Sequence, residues 1–187
     1  YHMIRDAHYF DKGFDRWWIR GQEHDRYMTN PTKNSAERKR TFDPQYLQNV
    51  SLRRFEEDYF VAQTMTAAMK WLELNYDQHE KFFLYIDTFD PHEPWDPPKW
   101  YADMYDPDWR GGDIPGIAYV PGVNRPRASD LNANELGHLR ALYAGEVTLV
   151  DRWIGMLLQK IEDLGLLENT AIIFTTDHGT YLGEHDY

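Results

Sequence analysis

The chain has 187 residues, of which 42% are hydrophobic and 27% charged, with a formal net charge of −11 and no cysteine. This length allows one sizeable core. The acidic balance disfavours long-range attraction to nucleic acid or anionic lipid, although a bound cation can reverse the field inside one pocket. Disulfides, thiolate zinc sites and cysteine-derived nucleophiles are excluded within these residues, and no apolar run of about 18 residues offers a transmembrane helix. Both ends are expected to be cuts in a longer protein: the chain opens on Tyr1 without a signal peptide and stops ten residues beyond Asp177.

Residues 1–50 are polar, aromatic and irregular. The stretch Gly13 to Met28 mixes Trp17, Trp18 and Ile19 with charged side chains and reads as a short strand with an exposed edge. Residues 30–44 read as an extended loop, and their basic group, Arg38, Lys39 and Arg40, reads as solvated surface rather than a phosphate clamp. A long helix is expected from Ser51 to about Asn75, capped by Ser51, with Phe55, Tyr59, Ala62, Met65, Thr66, Met69 and Leu72 on its buried face.

The apolar run 82–86, FFLYI, reads as a buried strand of a mostly parallel sheet. A stiff, proline-rich loop follows from Asp87 to Pro98. The segment 106–130 is too rich in Pro and Gly for a long helix and reads as an ordered excursion over the surface, with a mobile lid as the alternative. A second long helix is expected from Asn132 or Asn134 to Leu164, stopped by Gly165. The run 170–179, TAIIFTTDHG, reads as a second buried strand.

Strand, excursion, helix, strand is the pattern of an α/β fold, and ligands in open sheets sit beyond the carboxyl ends of the strands. Both expected strands end in polar residues: Asp87, Asp90 and His92 after the first, Asp177 and His178 after the second. Asp177 offers carboxylate oxygens and His178 an imidazole nitrogen, the donors a divalent ion takes. Neighbouring side chains in a regular strand point apart, so the two can meet one ion only where the strand ends, and Gly179 permits that turn. His92 lies between Pro91 and Pro94, which stiffen its loop and could hold the imidazole at a substrate oxygen or leaving group. Trp95 and Trp100 could wall a pocket; the other reading for them is to close the apolar layer under the proline loop. Glu184 and His185 read as supporting loop residues, and His79 and His138 as structural or solvent-facing. There is no glycine-rich phosphate loop, GxSxG elbow or HExxH helix.

The pieces FLYIDTFDPHEPW, residues 83–95, and IIFTTDHGTYLGEH, residues 172–185, resemble the sulfatases of the alkaline phosphatase superfamily, close to arylsulfatase and phosphonate monoester hydrolase branches. The helix between them, residues 143–170, and the early GFD and RGQE pieces resemble the same family. The resemblance implies an α/β fold, a partial alkaline-phosphatase-like sandwich in which a mostly parallel sheet is flanked by long helices. It implies that residues 1–187 are an internal segment of the catalytic domain. Asp177 and His178 would be metal ligands, with Ca2+ favoured and Mn2+ or Zn2+ as alternatives, and His92 would contact the substrate anion or its leaving oxygen. The substrate would be a small sulfate ester, or a phosphate or phosphonate ester, with no nucleic acid and no membrane span. The family nucleophile is a formylglycine made in a Cys/Ser-x-Pro-x-Arg motif; Ser35, Ser51 and Ser129 do not begin one. The paired aspartates that complete the metal site and the lysine after LGEH are also absent from these residues. The implied activity is metal-dependent sulfuric ester hydrolysis, with a non-catalytic binding relative as the competing reading. A cut sheet would expose an apolar edge and invite a homo-oligomer.

Overall fold

A computed structural model of the chain describes residues 50–51, 53–112 and 127–186. The strand expected within 13–28, the loop and basic group at 30–44, and the middle of the excursion at 113–126 lie outside the described residues.

Two long helices carry the fold. Helix α1 spans Phe60–Asn75, α2 is a single turn at Lys99–Ala102, and α3 spans Ala133–Asp163. Helix α3 starts and stops where local chemistry dictates. The Asn132 side chain accepts from the Asn134 and Glu135 amides, and Glu135 in turn accepts from the Asn132 amide. Together these satisfy donors that a helix start leaves orphaned. At the other end Gly165 takes φ +70°, its amide donates to Glu162 O at 2.8 Å, and Leu166 N donates to Ile161 O at 3.0 Å. This paired return of the chain needs a left-handed residue, which glycine supplies without a Cβ clash.

Helix α1 begins nine residues later than Ser51, the cap expected from the sequence. The intervening chain spends its polar groups locally: Asp58 accepts from the Arg54 and Phe55 amides, closing a short turn at Glu56–Asp58, and Tyr59 is extended. The first turn of α1 is then satisfied from a distance. The Asp90 carboxylate, in the proline loop, accepts the Val61 amide at 2.8 Å.

The core lies between the helices. Val61, Ala62, Met65, Ala68 and Leu72 of α1 meet Leu149, Val150, Trp153 and Leu157 of α3, with Tyr101 of α2 between them. Spacings of three and four residues along α1 put these side chains on one stripe. Gly145 lets α2 come close: a Cβ there would stand 3.0 Å from Ala102 N and 3.0 Å from Pro97 Cγ. The carboxylate of Glu56 ties three segments, taking Tyr101 Oη at 3.1 Å on one oxygen and Trp153 Nε1 at 3.1 Å and Arg152 Nε at 3.0 Å on the other.

The expected α/β sandwich is not what forms: the described residues are helical and irregular, with no β-strand. Residues 82–88 still alternate. Phe82, Leu84 and Ile86 pack against the α1–α3 core, while Phe83 and Tyr85 are 72% and 62% exposed. This is the period of an extended chain laid with one face on the helices. A strand is defined by its ladder, however, and no ladder forms along this segment among the described residues. Within 170–179, expected to be a buried strand, residues 171–179 are exposed throughout, with Ile173 87% and Phe174 80% accessible. Its apolar composition suggests burial, but burial needs covering layers, and the described residues supply none over it.

Candidate active site

His92 sits in the loop between the core-facing segment 82–88 and α2. Its ring packs on Phe89, with centroids 4.2 Å apart, and its Nδ1 lies 2.7 Å from Glu93 O and 3.3 Å from Glu93 Oε2. A carbonyl oxygen only accepts, so Nδ1 carries a proton. Nε2 of the neutral ring is then an acceptor, and it becomes a donor only when the ring is charged. The peptides Asp90–Pro91 and Glu93–Pro94 on either side are cis.

Behind His92 the loop is anchored rather than floating. Trp95 is 7% exposed, donates its indole N–H to Pro91 O at 3.0 Å and meets Tyr143 edge-on at 5.4 Å. It closes the apolar layer under the loop, the second of the two roles open to it from sequence, whereas Trp100 is 53% exposed. Arg53 grips Asp96 with one nitrogen at 2.9 and 3.0 Å and lies over the rings of Tyr59 and Phe60. Asp90 is 8% exposed. Burial pushes its carboxyl up to about 6, with the Arg53 guanidinium and the Val61 amide pulling the other way.

Asp177 and His178 stand together on the exposed segment after 171–176. Asp177 Oδ1 accepts the His178 amide at 2.9 Å, and His178 Nδ1 donates to Gly179 O at 2.8 Å. With Nδ1 protonated, the neutral ring presents an Nε2 lone pair, the arrangement found where a histidine binds a metal through one nitrogen and is oriented through the other. That Nε2 is 3.7 Å from Asp177 Oδ2. Two ligand atoms each about 2.0 to 2.4 Å from one cation can stand at such a separation. The donor chemistry and spacing fit a divalent ion as two members of a larger ligand set. Among the described residues no group of three or more His, Asp or Glu side chains gathers to hold an ion. The structure thus brings Asp177 and His178 together; the described contacts of His92, with Phe89 and Glu93, do not join it to them.

The family model for sulfatases matches residues 1–187. The chain belongs to the sulfatase family. Among curated sulfatases it is 33% identical over 122 residues to an arylsulfatase of Clostridium perfringens, covering 59% of this chain and 24% of that enzyme. It is 30% identical over 144 residues to human iduronate 2-sulfatase, covering 66% of this chain and 26% of that enzyme. A multifunctional alkaline phosphatase superfamily protein, PehA of Trinickia caryophylli, is 28% identical over 125 residues, covering 56% of this chain and 24% of PehA. The sulfatase chain therefore spans about a quarter of the length of the relatives it matches. No solved structure gives a significant match.

Two polar arrangements in this sulfatase segment are not visible in its sequence. One is the burial of Asp90 against α1; its only sequence signal is an acidic residue before a proline in an otherwise apolar neighbourhood. The other is His138, whose Nδ1 is 2.9 Å from Asp106 Oδ2 and whose ring stacks on Trp109 at 4.3 Å and 8°. It binds the start of the excursion to α3. No described helix of this sulfatase chain is long and apolar enough to cross a membrane.

Proposed function

We propose that this chain is part of the catalytic domain of a hydrolase that cleaves a small sulfuric ester, in the manner of an arylsulfatase. The observation that supports this reading most directly is the Asp177–His178 donor pair, oriented through the Gly179 carbonyl, in a chain matched along its whole length by the sulfatase family.

In this reading Asp177 and His178 hold part of a divalent cation, with Ca2+ favoured over Mn2+ and Zn2+. When bound, the cation would supply Lewis-acid polarisation of the sulfate oxygens. His92 faces the substrate through Nε2. In its charged form it donates a hydrogen bond to the ester oxygen and can pass that proton to the leaving group; Glu93 keeps the other proton on Nδ1 and so orients the ring. The Trp95 anchor and the Arg53–Asp96 pair hold the loop so that the imidazole does not drift. The chain has no cysteine and no Ser-x-Pro-x-Arg motif. The formylglycine nucleophile of this reading therefore comes from sequence outside these 187 residues.

A second reading, a phosphonate monoester or phosphodiester hydrolase, draws on the similarity to the alkaline phosphatase superfamily protein PehA. Both substrate classes are tetrahedral oxyanions, so the same donors serve either. The test is hydrolysis of p-nitrophenyl sulfate against p-nitrophenyl phenylphosphonate by the protein that carries this segment. Preferential sulfate release, lost in His92→Ala and Asp177→Asn, supports the first reading. Preferential phosphonate cleavage supports the second, and undiminished turnover in both variants overturns the site.

A further inference from the structure

The residues that follow the donor pair are held more firmly than their exposure requires. His185 and Asp186 take φ of 55° and 66°, and Gly183 takes 110°. Left-handed backbone at non-glycine residues persists only where the surroundings impose it. Here the surroundings can be named. Arg140 Nε of α3 donates to Leu182 O at 2.8 Å, and the Leu182 amide donates to Glu184 Oε2 at 2.6 Å. The Ser129 amide donates to Asp186 Oδ1 at 2.7 Å, and Arg127 Nη1 lies 3.5 Å from Asp186 Oδ2. Tyr181 meets His185 edge-on at 5.5 Å. At Gly183 a Cβ would stand 3.0 Å from Arg140 Nη2 and 3.2 Å from the Leu136 methyls, so the backbone lies directly on the helix.

These contacts join three places: the first turns of α3, the end of the excursion at 127–130, and the backbone just past Asp177 and His178. The same turns of α3 hold the start of the excursion through His138, Asp106 and Trp109. An exposed loop with no purpose would not spend two long-range hydrogen bonds on a strained turn.

We propose that residues 181–186 form a clamp, closed by Arg140 and Asp186, which fastens the backbone just past the donor pair Asp177–His178 to α3 and to the end of the excursion. The proposal rests on the reading of that pair as metal ligands. Arg140 and Asp186 are positioning residues: they act on the donors through the backbone of 179–185.

The test uses the protein that carries this segment with two readouts, trypsin cleavage after Arg127 and Mn2+ affinity by electron paramagnetic resonance, with the thermal midpoint as a control for global unfolding. Arg140→Ala should speed cleavage after Arg127 about five-fold, the loss of roughly one hydrogen bond, although Arg140 reaches Leu182. Mn2+ affinity should fall by about the same factor with the midpoint unchanged. Asp186→Ala should do likewise. Asp186→Asn, which keeps an acceptor for the Ser129 amide and tolerates left-handed backbone, should stay within about two-fold of the parent chain on both readouts. Unchanged cleavage in Arg140→Ala overturns the clamp. So does unchanged Mn2+ affinity in both alanine variants when Asp177→Asn abolishes binding. If Asp177→Asn binds Mn2+ as the parent chain does, the ligand reading fails and the positioning role with it; the cleavage rates then still show whether the mechanical link exists.

Discussion

Asp90 should make this chain less stable as pH rises through the weakly acidic range. Its carboxyl is buried and its pKa is raised from 3.8 to about 6. The folded state therefore binds that proton more tightly than the unfolded chain. Its contribution is largest below pH 4, declines as pH rises from about 4 to about 6, and is constant above. Each tenfold gain in proton affinity is worth about 1.4 kcal/mol, so the decline amounts to about 3 kcal/mol. Asp90→Asn keeps an oxygen to accept the Val61 amide and removes the titration. Urea unfolding of both chains from pH 4 to 7, followed by circular dichroism, isolates the effect as the difference between them. The parent should lose about 3 kcal/mol relative to the Asp90→Asn chain across that window. Asp90→Ala should be less stable than the Asp90→Asn chain at every pH, by about 1 to 3 kcal/mol, because it leaves the Val61 amide buried and unpaired. Parallel pH profiles for the parent and the Asp90→Asn chain would refute the burial argument.

Other expected outcomes follow from packing and from the missing nucleophile. Gly145→Ala should lower the thermal midpoint, by about 1 kcal/mol after the helix-propensity gain, since its Cβ meets the Ala102 and Tyr101 backbone at 3.0 and 3.1 Å; an unchanged midpoint would show that α2 shifts freely. Trp153→Ala removes a 4% exposed ring and the partner of Glu56, and should cost about 3 to 5 kcal/mol in chemical denaturation. The purified 187-residue chain should release no p-nitrophenol from p-nitrophenyl sulfate, because it contains no cysteine to supply the nucleophile; turnover abolished by His92→Ala would contradict this.

What is legible in the sequence is what local chemistry decides. Helix α3 can be read at both ends, because Asn132, Glu135 and Gly165 act within a few residues of themselves. Ala62, Met65 and Leu72 of the stripe expected along α1 are buried, whereas Phe55, expected on the same face, is 70% exposed and precedes the helix. Ser51 has the chemistry of a cap, whereas the group that serves the first turn is Asp90, 29 residues away from Val61. The two expected strands fail for a related reason. Alternation is a property of one segment and survives at 82–88, but a sheet is a relation between segments, and composition cannot supply the neighbour. At the candidate site the sequence points to His92, Asp177 and His178 and to the turn at Gly179. It does not show which ring nitrogen is engaged, nor that His138 is fastened to Asp106 and Trp109, since both depend on chain segments that meet only in three dimensions.

The Glu56 carboxylate bears on the order of events in folding. It joins residues 45 and 97 positions apart from it, at Tyr101 and Trp153, and so closes long loops around the α1–α3 core. Closure entropy rises only slowly with loop length, but both helices must already be docked for the carboxylate to meet its partners. The staple belongs to the late side of the folding barrier. Weakening it, as in Glu56→Gln, should hasten escape from the native state and leave the refolding limb of a chevron nearly untouched; a slowed refolding limb would place the staple in the nucleus instead.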